Sequence, residues 1–191
     1  MKNFLLIFVA FVLSVSLASC KVYDDTKDII SDNQVEENGE HENENKDDGP
    51  VKVSLTLYFP DNDALYLYPE IRELEVQDKE LLAQTVLEEL FKGPTLENLS
   101  PSLDGENLVL SVSVSEGICT VDFDDDFILL NSGGTTRENF AIGSIVNSLC
   151  ELEDVEQVKI NIGGNTSSAF GGHFTLEAPF AFQENLIGKN K

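Results

Sequence analysis

The sequence predicts an α+β fold: a small, mostly antiparallel sheet with two helices packed on one of its faces. Three observations carry this. Apolar residues recur with period two in five short runs between Val51 and Ile162. They recur at helical spacing in two longer runs, one on each side of the middle strands. Turn residues join neighbouring short runs as hairpins, so the order is β-β-α-β-β-α-β, with apolar positions enough for one core and no clear internal repeat.

Each element has its own signal. In VKVSLTLYF, residues Val51, Val53, Leu55, Leu57 and Phe59 share one face and Lys52, Ser54, Thr56 and Tyr58 the other, as in a half-buried strand. Pro60-Asp61-Asn62-Asp63 turns the chain, and ALYLY, Ala64 to Tyr68, returns as the second strand of a hairpin. Asp78 is a candidate N-cap for a helix whose apolar stripe is Leu82, Ala83, Val86, Leu87, Leu90 and Phe91, and Gly93-Pro94 stops it. LVLSVSV, Leu108 to Val114, pairs through the Glu116-Gly117 turn with ICTVDF, Ile118 to Phe123. Thr135 and Glu138 have capping-box spacing before a helix that runs to Leu149, with Ala141, Ile142, Ile145, Val146 and Leu149 toward the core. VEQVKINI, Val155 to Ile162, is the last regular strand, and Gly163-Gly164 ends it.

The chain before Val51 has a different logic. Residues 1–19 combine Lys2, an unbroken apolar run from Phe4 to Leu13 and a small-residue end, the pattern of a secretory signal. The run is shorter than the roughly 20 apolar residues a membrane span needs. LASC, Leu17 to Cys20, resembles the lipobox of bacterial lipoproteins. That resemblance implies cleavage before Cys20, whose sulfur would carry a diacylglyceryl group, and two acyl chains anchor a protein stably. The alternatives are an ordinary signal peptide with an incidental cysteine, or an uncleaved anchor. Residues 20–50 follow as the lipidated cysteine and an acidic linker. Positions 21–50 hold 11 acidic and 3 basic residues, too polar to offset the entropy of ordering. As a flexible coil they span roughly 30 Å. His41 lies here and is expected to be solvated. Residues 51–191 form the compact domain.

Charge excludes one class of partner. The chain carries a net −23, and −24 once residues 1–19 are removed. Nucleic-acid binding relies on Lys and Arg neutralising phosphates, so it is set aside. Anionic lipid heads repel the chain too, which leaves the lipid on Cys20 as its contact with the membrane.

Candidate chemistry is sparse. Cys119 and Cys150 read either as buried free thiols or as a disulfide, which an extracytoplasmic location would permit. The run Asp122 to Asp126 in DFDDDF reads as solvated acids at a strand end, with a calcium site as the alternative, although it lacks the glycine and terminal glutamate of an EF-hand. Ser132-Gly133-Gly134-Thr135-Thr136 suggests loop and cap chemistry rather than phosphate binding, having no P-loop lysine. No nucleophile elbow, CxxC or HExxH spacing is present, and His173 is the one histidine of the domain. No catalytic, cofactor-binding or metal-binding residues are therefore assigned, and no cofactor is expected.

Four ordered landmarks resemble the GerMN domain of spore-germination and sporulation proteins. They are LYFPDND, Leu57 to Asp63; LEELFKGPT, Leu87 to Thr95; LSVSVSEGICTVDFDDDF, Leu110 to Phe127; and FGGHFTLEAPF, Phe170 to Phe180. Together they extend over residues 51–182. The resemblance implies a fold like the ring-building modules of secretion and sporulation machines, and a setting in the cell envelope. It also implies a non-catalytic part in assembling protein complexes, through an envelope partner or self-association. A two-domain member helps to assemble the channel complex between mother cell and forespore; this chain has one such domain, so a role that requires two does not carry over. Gly171, Gly172, His173 and Phe174 are the family-motif residues. An extracytoplasmic ligand-binding protein or cell-wall-active enzyme is the alternative. A module predicts an apolar or complementary surface, whereas a ligand-binding protein or enzyme predicts a concave site with converging polar groups.

Gly171-Gly172 reads as a tight backbone passage, with Phe174 and Leu176 returning to the core and His173 hydrogen-bonded locally. Exchanging His173 for alanine is expected to lower the thermal midpoint and leave the function of the folded fraction intact. A normally folded variant without function would return His173 to candidacy as a reactive group.

Overall fold

Two antiparallel ten-residue strands begin the domain: β1 (Val51–Pro60) and β2 (Leu67–Val76). They pair along their whole length, Val51 opposite Val76 and Pro60 opposite Leu67. The computed structural model describes residues 49–165, 170–171 and 175–189. Residues Asn45–Lys191 cluster as one compact unit. Among the described residues no helix is long and apolar enough to cross a membrane.

The hairpin differs from its sequence expectation. Ala64 to Tyr66 belong to the connection: Ala64 is left-handed at φ 51°, and Asp61 Oδ1 accepts the amides of Leu65 and Tyr66 at 2.7 and 3.3 Å. The second strand instead runs on to Val76. Its middle is inverted in polarity, with Glu70 buried and Ile71 exposed.

Asp78 caps as expected, its carboxylate accepting the Glu80 amide at 2.8 Å, but at a 3-10 turn (Lys79–Leu81) that leads into helix α1 (Leu82–Phe91). Gly93, at φ +77°, closes that helix. After a long loop come β3 (Val109–Ser115) and β4 (Ile118–Phe123), then a short helix α2 (Asp126–Asn131) within the acidic run. Helix α3 (Thr135–Leu149), β5 (Gln157–Ile162), β6 (Phe180–Ala181) and a 3-10 turn (Glu184–Leu186) complete the order.

The α+β class holds, and the strands divide between two sheets, β1-β2 and β3-β4-β5-β6. Pairing is antiparallel except between β4 and β5, which α3 joins as a parallel crossover. Helix α3 is buried nearly all round. Ala141, Ile142, Ile145, Val146 and Leu149 enter the main core, as expected. Its opposite side is covered as well: Ser148 Oγ accepts the Tyr58 amide at 2.9 Å, and Asn147 exchanges two hydrogen bonds with the main chain of Gln183. At Gly143 an added Cβ would lie 2.5 Å from Leu186 Cδ1 and 3.1 Å from Leu67 Cδ1, so a larger residue would have to displace those leucine ends. The C-terminal segment straps the sheets together: β6 adds to β5, and the Gly188 amide reaches the Leu67 carbonyl at 2.9 Å.

One buried ionic network fixes the hairpin to α1. Arg72 donates to Glu70 Oε1 through Nε and Nη2 at 2.9 and 2.7 Å, and to Glu89 Oε2 through Nη1 at 2.6 Å. It also bonds the carbonyls of Glu89 and Gly93 and lies over the Phe59 ring, 5.6 Å from its centre. Glu70 in turn accepts the amides of Thr95 and Leu96 at 2.8 and 3.0 Å, and Lys92 pairs with Glu89 from the solvent side. Burial pushes both carboxyls up, but these partners outweigh it. Arg72 and the two amides hold Glu70 below the ordinary glutamate range, and Lys92 and Arg72 do the same for Glu89.

Both carboxylates therefore stabilise the fold above the ordinary glutamate pKa of about 4.3, and that stability is lost as pH falls through their lower folded values. Arg72→Ala is expected to cost about 3–5 kcal/mol in urea denaturation at pH 7, since it strands buried carboxylates. It should also raise both carboxyl pKa values, because it removes one of the partners that outweigh burial while the Thr95 and Leu96 amides and Lys92 remain. Between about pH 6 and 4, acid should then narrow the deficit of the variant. A deficit that does not narrow would show that the network is electrostatically idle.

Candidate functional site

Seven consecutive residues of β3, Val109 to Ser115, carry no charge and no proline. Their strand lies at one end of the four-stranded sheet, and among the described residues no strand pairs with its outer edge. At the opposite end the two-residue β6 pairs with Gln157 and Val158 of β5. Pairing with β4 places Val112 and Val114 opposite Val121 and Cys119, on the face that elsewhere forms the core. Yet Val114 is 42 % exposed and Leu110, at a bulge, 55 %. Only Val109 and Val112 of this strand pack against the core, partly buried.

The uncovered face opens into a trough along α1. One stretch, about 1010 Å³, lies among Val53 and Leu55 of β1, Leu82 and Ala83 of α1, and Val112 and Val114 of β3. A second, about 570 Å³, continues past Val112 toward Phe91 and Leu108. The floor is apolar and the rim acidic: Glu80, Glu116, Glu151, Glu153 and Asp154 stand around the larger stretch, against Lys79 alone. Glu151 also accepts the Tyr58 hydroxyl at 2.6 Å, which, with burial as the larger cause, raises the tyrosine pKa.

The described groups among those singled out in the sequence do not line this trough. Cys20, Gly172, His173 and Phe174 lie outside the described residues. Phe170 is fully buried, stacked on Phe127 at 5.5 Å, which stacks on Phe123 at 4.1 Å. Gly171 follows at φ +59°, and a side chain there would collide with the Glu138 carboxylate. That carboxylate, buried at the start of α3, accepts the amides of Gly133 and Gly134 at 3.4 and 3.3 Å. The expected capping box is thus altered. Gly134 rather than Thr135 holds the N-cap position, and the glutamate half of the motif remains. The carboxylate also supplies negative charge where a phosphate would sit.

The acidic run is absorbed into turns. Asp122 accepts the Gly164 amide at 2.9 Å and Asp124 the Asp126 amide at 3.0 Å, at the start of α2. Among the described residues no group of three or more His, Cys, Asp or Glu side chains is placed to hold a metal ion. Cys119 and Cys150 are both free thiols. Burial, with Cys150 second, pushes Cys119 up to about 12; burial, with Glu151 second, pushes Cys150 up to about 11. Both are protonated at neutral pH and poorly nucleophilic.

Comparison with known proteins gives three kinds of result. A family model described as Germane, sporulation and spore germination, matches residues 56–168, more than half of the chain. No curated protein matches. Among solved structures, a candidate lipoprotein from Clostridium perfringens is 24 % identical with a TM-score of 0.50, over 73 % of this chain and 95 % of its own. The first GerMN domain of the sporulation protein GerM from Bacillus subtilis is 19 % identical with a TM-score of 0.54, over 70 % of this chain and 98 % of that domain. The tandem GerMN domains of the same protein give 20 % and 0.56 over 68 % of this chain, which spans 46 % of their length. At these identities the solved structures speak to the fold.

Gly171 lies just past the matched stretch and is tested on its own geometry. Gly171→Ala is expected to destabilise the domain by about 1–3 kcal/mol, from the left-handed backbone and the encroachment on Glu138. A shift in urea midpoint within error of zero would remove the tight passage over Glu138.

Proposed function

Because the chain belongs to the Germane family of sporulation and spore-germination domains, we propose that it is a non-catalytic interaction and assembly module. In this reading it is held to the extracytoplasmic face of the cell membrane through a lipid on Cys20 and works in sporulation, germination or a related envelope process. The observation that carries the reading is the open, uncharged edge of β3 beside an apolar trough. An exposed strand edge with an adjoining apolar surface is a feature of proteins that receive another chain. The ionisable groups between the hairpin and α1, by contrast, are taken up by structural bonds: Arg72, Glu70 and Glu89 satisfy one another and the nearby main chain. The acidic linker sets the reach of the module, roughly 30 Å as a coil.

Anchoring and role separate experimentally. Cys20→Ser is expected to move the protein from the membrane to the soluble extracytoplasmic fraction and to abolish the diacylglyceryl mass on the processed chain. Deleting the protein should lower the yield of heat-resistant spores or slow their germination, and cross-linking of the intact chain in cells should capture an envelope protein. Unchanged spores, with calorimetry finding a tightly held small ligand and cross-linking finding no partner, would overturn the module reading.

A further inference from the structure

We propose that β3 is a docking strand for an extended, lysine- or arginine-bearing segment of a partner protein, which adds to the four-stranded sheet and lays its cationic side chains across the trough. The proposal rests on the module reading and names the chemistry of the partner.

The backbone makes the first part of the case. Natural edge strands are usually blunted by charge, proline, a bulge or a covering element. The bulge at Leu110 disturbs only the start of β3; the part that follows, Ser111 to Ser115, alternates serine and valine in unbroken register with β4. Five residues present about 17 Å of unpaired edge, enough for a short added strand.

The trough supplies the second part. Alternate side chains of an added strand would project over Val112 and Val114 toward α1. The floor there is apolar and the rim carries Glu80, Glu116, Glu153 and Asp154, all exposed. A lysine or arginine fits both, its aliphatic stem lying on the valines and its charged end reaching the acids. An acidic segment would meet mostly like charge, with Lys79 the one cation on that stretch.

The same charges weigh against the two occupants nearest to hand. Residues 51–191 hold 24 acidic and 8 basic side chains, so a second copy brings like charge to the rim. The linker of the chain itself holds 11 acidic against 3 basic residues and is repelled likewise.

The test uses the full lipidated chain in neutral detergent and a short fluorescent peptide of alternating lysine and valine. Two controls accompany it: the same peptide with glutamate for lysine, and the lysine peptide methylated on alternate amides, made in both phases. Anisotropy should show the lysine peptide binding, weakening in high salt, and both the glutamate peptide and one of the methylated pair binding weaker by about tenfold or more. Val114→Lys, at an exposed position, should weaken the lysine peptide by about tenfold or more with an unchanged melting midpoint. Equal binding of both methylated peptides would reduce the effect to adsorption on an acidic surface and overturn the proposal. Indifference to Val114→Lys would also overturn it, as would dimerisation of the chain that this substitution abolishes. None of these outcomes touches the module reading, which stands or falls on partner capture and the spore phenotype.

Discussion

The guanidinium of Arg72 is the joint on which the arrangement of the domain turns. It meets β2, α1 and the loop after α1 at one buried point, and its donors run to two carboxylates and two main-chain carbonyls. Arginine suits this because its planar fork holds direction, whereas an ammonium is a point charge. The cost of taking these charges out of water is offset only while every partner is present, so the network specifies one geometry more than it adds stability. That geometry places α1 against the hairpin, and α1 is the wall of the trough that faces β3. One wall of the trough is thus tied to the hairpin of the other sheet.

Helix α3 supplies the second constraint. A surface helix needs one apolar stripe, but this one lies between the main core on one side and the hairpin with the C-terminal strap on the other. Its second side is therefore built from small and amide residues. Gly143 admits Leu186 and Leu67, Ser148 receives an amide from β1, and Asn147 holds the strap. The strap then reaches Leu67, so the chain end is used to tie the two sheets.

Much of this was legible in the sequence, for physical reasons that also mark where legibility ended. Alternation in VKVSLTLYF and ICTVDF points to one buried face each; the structure buries Leu55, Leu57 and Phe59, and Cys119, Val121 and Phe123, but it also buries Tyr58 on the other face of β1 and leaves Val51 exposed. The end of β2 was hidden because Glu70 and Arg72 occupy its inward positions while Ile71 faces solvent, the reverse of the pattern that signals a strand. Helix α2 was masked by the acids that begin it. The division into two sheets follows from which strand lies beside which, and periodicity carries no such information. The candidate interaction surface suffered most. In LVLSVSV, Leu108 to Val114, alternation marks a strand but cannot tell a covered face from an uncovered one. The trough is a relation among α1, β1 and β3 that no single stretch encodes.

An uncharged open edge is ordinarily an invitation to self-association, and the charge of this chain bears on that hazard. The domain repels its own copies, and the screening length in physiological salt, about 8 Å, exceeds the roughly 4.8 Å between paired strands. Repulsion therefore still acts at the distances where β3 would begin to pair with itself. Lysines within the strand would guard it equally well, but they would also exclude cationic partners. Placing acids around the rim instead leaves the backbone edge available and selects by charge who can approach it. In the proposed lipid-anchored state the chain would meet its copies at high local density, and there such selection would have the greatest effect. Under the docking proposal, net acidity lets an exposed strand stay open to cationic partners while opposing its own copies.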